Sequence, residues 1–307
     1  MADALDLASC ERRFDDVPTL ARRPRQVEEL SGGLTNVNVK VTTPDGIFVA
    51  RCFGSDAELL GIDRDAEHVN SSAAAEAGVG APVIDYRADL GMLVIGYIDG
   101  VTYDNASFVH EGVIGRVADA CRKLHAGQRF VSDFNMFNRQ RNYLNIVREN
   151  GFALPSGYEM HEGRFQEIRA ALAVRDEGTV PCNNDLLAGN FVDDGTKLWL
   201  IDYEYSGNND ACFELGNITT ECELDPDQGE ELVTAYYGRR LRNKIARTRL
   251  QALVSQYGWS LWGTIQSATS PLDFDFAAWC AERYEKAVLG FTRDSFHSLI
   301  DEVQRDD

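Results

Sequence analysis

The chain has 307 residues, 44% of them apolar and 26% charged, which is enough core-forming material for one bilobal enzyme or two modest domains. Its net charge is −19, a balance that repels phosphate backbones and anionic lipid heads and attracts small cations, so nucleic-acid binding and membrane insertion are not expected. No run reaches the ~20 apolar residues of a membrane span. The first 16 residues lack a basic-then-apolar leader pattern. The seven Cys, with no CxxC pair, read as free thiols in a reducing cytoplasm, the expected location.

Residues 27–30 and 37–42 read as strands on either side of Ser31-Gly32-Gly33, and Pro44-Asp45-Gly46 is a turn before a third strand at 47–53. An Ala- and charge-rich helix is expected over 57–77, ending near Gly78. Strands follow at 82–86 and 92–98, the second apolar through Leu93-Val94-Ile95 as a buried strand should be. Beyond Gly100 the pattern turns helical, at 108–126, 163–175, 230–240 and most of 244–307. Residues 180–205 break it with turns and short apolar runs. The expectation is an α+β chain: an N-terminal extension (1–25), a small β-rich lobe (26–98) and a larger helical lobe (99–307) carrying one irregular polar segment.

That segment holds Asp185 and Asn190, spaced Asp-x-x-x-x-Asn, and Asp202 after the apolar run 198–201. Phosphoryl transfer needs a carboxylate to orient the attacking hydroxyl and take its proton, an amide oxygen for one metal, and a second carboxylate for the metals; kinases use this spacing. Asp185 is thus the candidate catalytic base, and Asn190 and Asp202 are candidate Mg²⁺ ligands. Loop Asp and Asn more often cap helices or make turns, but the three together with a preceding strand favour the chemistry.

Asn184-Asp185 with Phe191, the run Ile201-Asp202-Tyr203-Glu204-Tyr205-Ser206, Phe213-Glu214-Leu215-Gly216-Asn217 and Leu30-Ser31-Gly32-Gly33-Leu34-Thr35-Asn36 together resemble the choline/ethanolamine kinase family, within the aminoglycoside-phosphotransferase-like kinases. The resemblance runs from about Val27 to Phe291 and implies a bilobal protein-kinase-like fold, with ATP and Mg²⁺ bound between the lobes. Asn183 stands where that family usually has His, a residue expected to buttress the loop.

On the nucleotide side, Gly32 and Gly33 would let backbone amides approach phosphates, with Thr35 and Asn36 completing the loop. Arg51 on the third strand is the candidate phosphate-gripping cation and Glu67 its helix partner. Backbone groups near Gly96 and Ile98 would meet the adenine edge. On the acceptor side, a trimethylammonium group donates no hydrogen bond, so its recognition needs aromatic faces and a carboxylate. Trp259, Trp262 and Trp279 align by resemblance with a choline box, and Glu221 with the acidic residue facing the cation. A further wall expected shortly after Glu221 is missing, Leu224-Asp225-Pro226 standing there, and Tyr284 is a candidate to close the box. The implied activity is a choline kinase. Its rivals are an ethanolamine, other aminoalcohol or aminoglycoside kinase and, more distantly, a catalytically impaired choline-binding module.

Overall fold

Residues 6–30, 33, 35–54 and 59–307 are described by a computed structural model. Helices α1 (Leu7–Arg13) and α2 (Pro18–Ala21) lead into strands β1 (Gln26–Leu30), β2 (Asn36–Thr43) and β3 (Gly46–Phe53). Helix α3 (Arg64–Glu76) and strands β4 (Val83–Arg87) and β5 (Met92–Gly96) complete the smaller lobe. Its sheet is antiparallel in the order β1-β2-β3-β5-β4. Alternate residues point to one face, as a pleated strand requires. Val39 and Val41, Phe48, Ala50 and Cys52, and Met92 and Val94 therefore line one core. Cys10, Phe14, Val17 and Leu20 close that core. The described part of the segment read as an extension is thus one wall of the lobe.

Helix α3 starts at Arg64 rather than 57, because Gly61 takes a left-handed conformation (φ 66°) and Asp63 caps the helix by accepting from the Ala66 N–H. Strand β5 stops at Gly96 rather than 98. The chain then crosses to the larger lobe: α4 (Val113–His125), α5 (Met136–Asn150), α6 (Glu162–Val174), α7 (Ala211–Glu221), α8 (Pro226–Tyr237), α9 (Arg242–Thr269), α10 (Phe276–Thr292) and α11 (Ser295–Val303). Short strands β6 (Val101–Thr102), β7 (Val180–Cys182), β8 (Phe191–Asp193), β9 (Leu198–Leu200) and β10 (Gly207–Asn209) are set among them. Helices α5 and α7 were not expected from the sequence. In α5 the buried stripe Phe137, Gln140, Leu144 and Val147 is diluted by Asn and Arg. In α7, Gly216 marks a close crossing, for a Cβ there would lie 2.7 Å from Ala252 N and Thr248 O of α9. Helix α8 begins at Pro226 because Asp225 accepts from the backbone of Asp227 and Gln228.

Helix α9 is buried on most sides, packed against α5, α7, α10 and α11, and is the post of the larger lobe. All seven Cys are free and buried. Among the described residues no helix is long and apolar enough to cross a membrane.

Candidate active site

The loop between β7 and β8 is held by buried amides and one buried carboxylate. Asn184 adopts a left-handed backbone (φ 70°), a strained choice that Asn tolerates better than most residues. Its Nδ2 donates to the carbonyls of Cys182, Tyr205 and Gly207, and its Oδ1 accepts from Asn209 Nδ2 at 2.8 Å. Glu214 accepts the N–H groups of Asn183 (3.0 Å) and Asn184 (2.6 Å). Asn183 donates to the carbonyls of Ile201 (3.1 Å) and Asp202 (2.7 Å) and accepts the Asp185 N–H (3.1 Å). Asn183 therefore ties the loop to the segment after β9, the buttressing expected at that position. Asn190 Nδ2 donates to the Asp185 carbonyl at 2.7 Å, which leaves Oδ1, the atom a metal would use. His125, Cys182 and Glu214 form a buried ligand-like group, but Glu214 is committed to the loop backbone, so this cluster reads as support.

The hairpin β8–β9 delivers Asp202, itself left-handed (φ 64°); unfavourable backbone at two loop positions is the kind of strain that clusters at functional sites. Arg51 lies 2.6 Å from Asp202 and 3.2 Å from Glu67, so the three residues expected at the nucleotide phosphates and metals meet. Arg64 joins them, 2.6 Å from Glu67 and 3.2 Å from Glu204. Thr35 Oγ1 and Asn36 Nδ2 donate to Glu204 at 2.8 and 2.9 Å, so the loop before β2 reaches across to the larger lobe. A Cβ on Gly33 would collide with the Asn36 carbonyl, which explains a glycine there; Gly32 lies outside the described residues. The Gly96 N–H is taken by the Pro82 carbonyl at 2.8 Å, so the amide expected near the adenine edge is already spent and only its carbonyl could serve. Ile98 lies beyond the strand and makes no backbone hydrogen bond among the described residues.

Electrostatically the cleft is short of positive charge. Burial, then the charges of Glu221, Asp202 and Glu204, push the Asp185 carboxyl well above its usual range, against the pull of Arg283. Burial, then Asp202 and Glu67, raise Glu204 to about 7. Burial disfavours the charge of Arg51, but Asp202, Glu67 and Glu204 outweigh it and raise its pKa. Uncompensated oxygen ligands of this kind suit a hard divalent cation.

The acceptor side departs from expectation. Trp259 is 4% exposed, with Tyr205 edge-on at 4.8 Å and Phe134 at 6.1 Å; it packs in the core. Trp262 donates to Tyr205 Oη at 2.8 Å and lies 5.1 Å from Trp279. Of these three Trp, Trp279 alone presents a ring face to a cation among the described residues, and that cation is the Arg283 guanidinium, 3.4 Å from the ring centroid. Arg283 also forms a two-point ion pair with Glu221. Tyr284 is turned away from the box: its ring packs at a tilt against Tyr158, 5.7 Å between centroids, and its hydroxyl donates to the Ser156 carbonyl. Tyr205, Glu204 and Arg283 were missed as site residues. Arg283 sits four residues after Trp279 on one helix, a spacing that does bring side chains together.

The family model described as choline/ethanolamine kinase matches residues 27–236. Protein LicA of Haemophilus influenzae is 27% identical over 229 residues, a match covering 72% of this chain but 65% of LicA, just under two thirds of its length. The probable ethanolamine kinase of Arabidopsis thaliana is 26% identical over 300 residues, covering 85% of this chain and 78% of that protein. The crystal structure of a choline/ethanolamine kinase family protein from Mesorhizobium loti superposes with a TM-score of 0.86 at 30% identity, over 97% of this chain and 98% of the other.

Proposed function

The chain belongs to the choline/ethanolamine kinase family, and we propose that it transfers the γ-phosphate of ATP to the hydroxyl of choline, giving phosphocholine and ADP. The observation that carries the acceptor assignment is the Arg283 guanidinium carbon lying over the Trp279 ring, 3.4 Å from its centroid, with the guanidinium clamped by Glu221. A cation is already recognised there by a ring face plus a carboxylate, the two elements a trimethylammonium group requires. The raised pKa of Asp185 suits a base that takes a proton near neutral pH.

In this reading Asp185 orients the choline hydroxyl and accepts its proton as the oxygen attacks the γ-phosphorus in line. The γ-phosphorus bond to the bridging oxygen breaks and ADP leaves. Arg51, held by Glu67, grips the nucleotide phosphates. Gly33, Thr35 and Asn36 line the phosphate loop, and the Ile98 backbone with the Gly96 carbonyl meets the adenine edge. Asn190 and Asp202 would hold Mg²⁺, which supplies neutralisation of phosphate charge. Most of the acceleration comes from positioning and charge stabilisation.

Ethanolamine is the second reading. Of the three Trp, Trp279 alone presents a ring face to a cation, Glu221 offers directional acceptors that suit a primary ammonium, and the Arabidopsis relative is named for that substrate. Coupled ADP release across choline, ethanolamine, their methylated intermediates and aminoglycosides tests both. The highest kcat/KM should fall on choline; a maximum on ethanolamine overturns the choline assignment, and a maximum on an aminoglycoside overturns both.

A further inference from the structure

Arg283 belongs to no step of the proposed reaction, yet it sits in the acceptor corner. Its Nε donates to Glu221 Oε1 at 3.2 Å and an Nη donates to Oε2, a two-point grip on the carboxylate. Its guanidinium covers the Trp279 face at 3.4 Å. Both partners are largely sequestered from water, the Arg283 side chain 15% exposed and the Glu221 side chain 8%. Its charge also reaches Asp185. One side chain thus occupies both elements that a cationic acceptor needs, and does so next to the carboxylate that would activate the hydroxyl.

We propose that Arg283 is a resident competitor of the acceptor: a cationic head group binds by taking its position on Trp279 and Glu221, and Arg283 thereby sets the acceptor affinity and excludes weak cations. This rests on the acceptor corner assigned above. A guanidinium set over an indole ring and paired at two points with a carboxylate is among the better-held cations a protein can build. An incoming ammonium must therefore offset contacts already made. A small inorganic cation holds its hydration shell too tightly to do so, whereas a methylated ammonium is weakly hydrated. Product release is assisted for the same reason, since Arg283 returns to Glu221 as the phosphorylated product leaves.

The test uses the head group alone, so that it does not depend on which acceptor is phosphorylated. Tetramethylammonium is titrated into the wild-type enzyme and into Arg283→Met and Arg283→Lys, following tryptophan fluorescence. Melting temperatures establish that each variant is folded. Arg283→Met should bind tetramethylammonium about tenfold tighter, as expected when a competing cation–π and ion-pair contact is removed. Arg283→Lys, which keeps the charge but loses the flat fork, should fall between the two. Guanidinium at low millimolar concentration should compete with tetramethylammonium in Arg283→Met and not in wild type, because it refills the vacated corner; a packing role would not produce that. Equal or weaker tetramethylammonium binding by a folded Arg283→Met enzyme overturns the proposal, for Arg283 would then be a fixed wall. If Arg283→Met does not fold, Arg283→Lys decides: binding no tighter than wild type overturns it. A wild-type enzyme that fails to phosphorylate choline while Arg283→Met still binds tetramethylammonium more tightly would defeat the choline assignment and leave the competition standing.

Discussion

Asp185 is half-buried, and the charge nearest to relieving it is the one on Arg283. A carboxyl whose ionisation is opposed by burial gives an acid limb displaced upward. In the proposed reaction turnover needs the ionised form, so kcat/KM should fall with decreasing pH at values above the ordinary aspartate range. Asp185→Asn should lower kcat by on the order of 10²–10⁴ and abolish that limb, with ATP affinity changed less than about twofold. A variant that keeps wild-type turnover removes Asp185 from the chemistry. The placing of Asp185, Asn190 and Asp202 on one loop and the hairpin that follows it was legible because the signal is local: a five-residue spacing and a strand before the last carboxylate. Glu204 and Arg283 were not, because each takes its meaning from a distant partner, Thr35 at a separation of 169 residues and Glu221 at 62. Trp259 shows the opposite failure. Three-residue spacing from Trp262 is satisfied equally by a cage and by a core, and burial decided for the core. Trp259→Leu should therefore lower the melting temperature by several degrees, as a core truncation worth ~2–4 kcal/mol does, and leave choline KM within about twofold. Raised choline KM at an unchanged melting temperature would restore it to the box.

Between elements, the loop before β2 and the segment after β9 are joined through Glu204, which accepts from Thr35 and Asn36 and pairs with Arg64 at the start of α3. The buried carboxyl is raised from 4.5 to about 7, so the folded chain holds its proton more tightly than the unfolded chain does. Its contribution to stability is fully present below pH 4.5 and is lost as pH rises through about 7. Glu204→Gln removes that titration. The stability of wild type minus that of Glu204→Gln should fall across this interval by up to about 3 kcal/mol, read from urea unfolding at a series of pH values. A difference that is flat or grows with pH contradicts the assignment. Strands and their turns were legible from Gly and Pro punctuation, and strand β3 emerged close to its expected limits. Helix limits were less so, since Asp63 and Asp225 set the starts of α3 and α8 through side-chain caps within polar stretches.

Over the whole molecule, strand-like patterning before about residue 100 and helical patterning after it announced the β-sheet N-terminal region and larger helical part of this protein-kinase-like fold. The role of the first 25 residues was not legible, because short segments around Phe14 and Leu20 carry no period long enough to announce a core. Phe14, Val17 and Leu20 are all fully buried against the sheet. At ~1.5–3 kcal/mol for each large side chain, deleting residues 1–21 should cost on the order of 5 kcal/mol, a large share of an ordinary domain's stability. The truncated chain should melt well below the full chain in calorimetry; an unchanged melting temperature would make the segment dispensable.

The burial of every cysteine turns the thiols into a clock. Cys10 and Cys52 belong to the core of the smaller lobe, and Cys121 and Cys222 to a core of the larger one. An alkylating reagent has nothing to react with until a lobe opens, so modification at each site measures the frequency of that opening. Pulsed alkylation in mild urea, read peptide by peptide, should therefore modify Cys10 and Cys52 together, at a rate distinct from that of Cys121 and Cys222. A single common rate would mean that the two lobes come apart as one cooperative body.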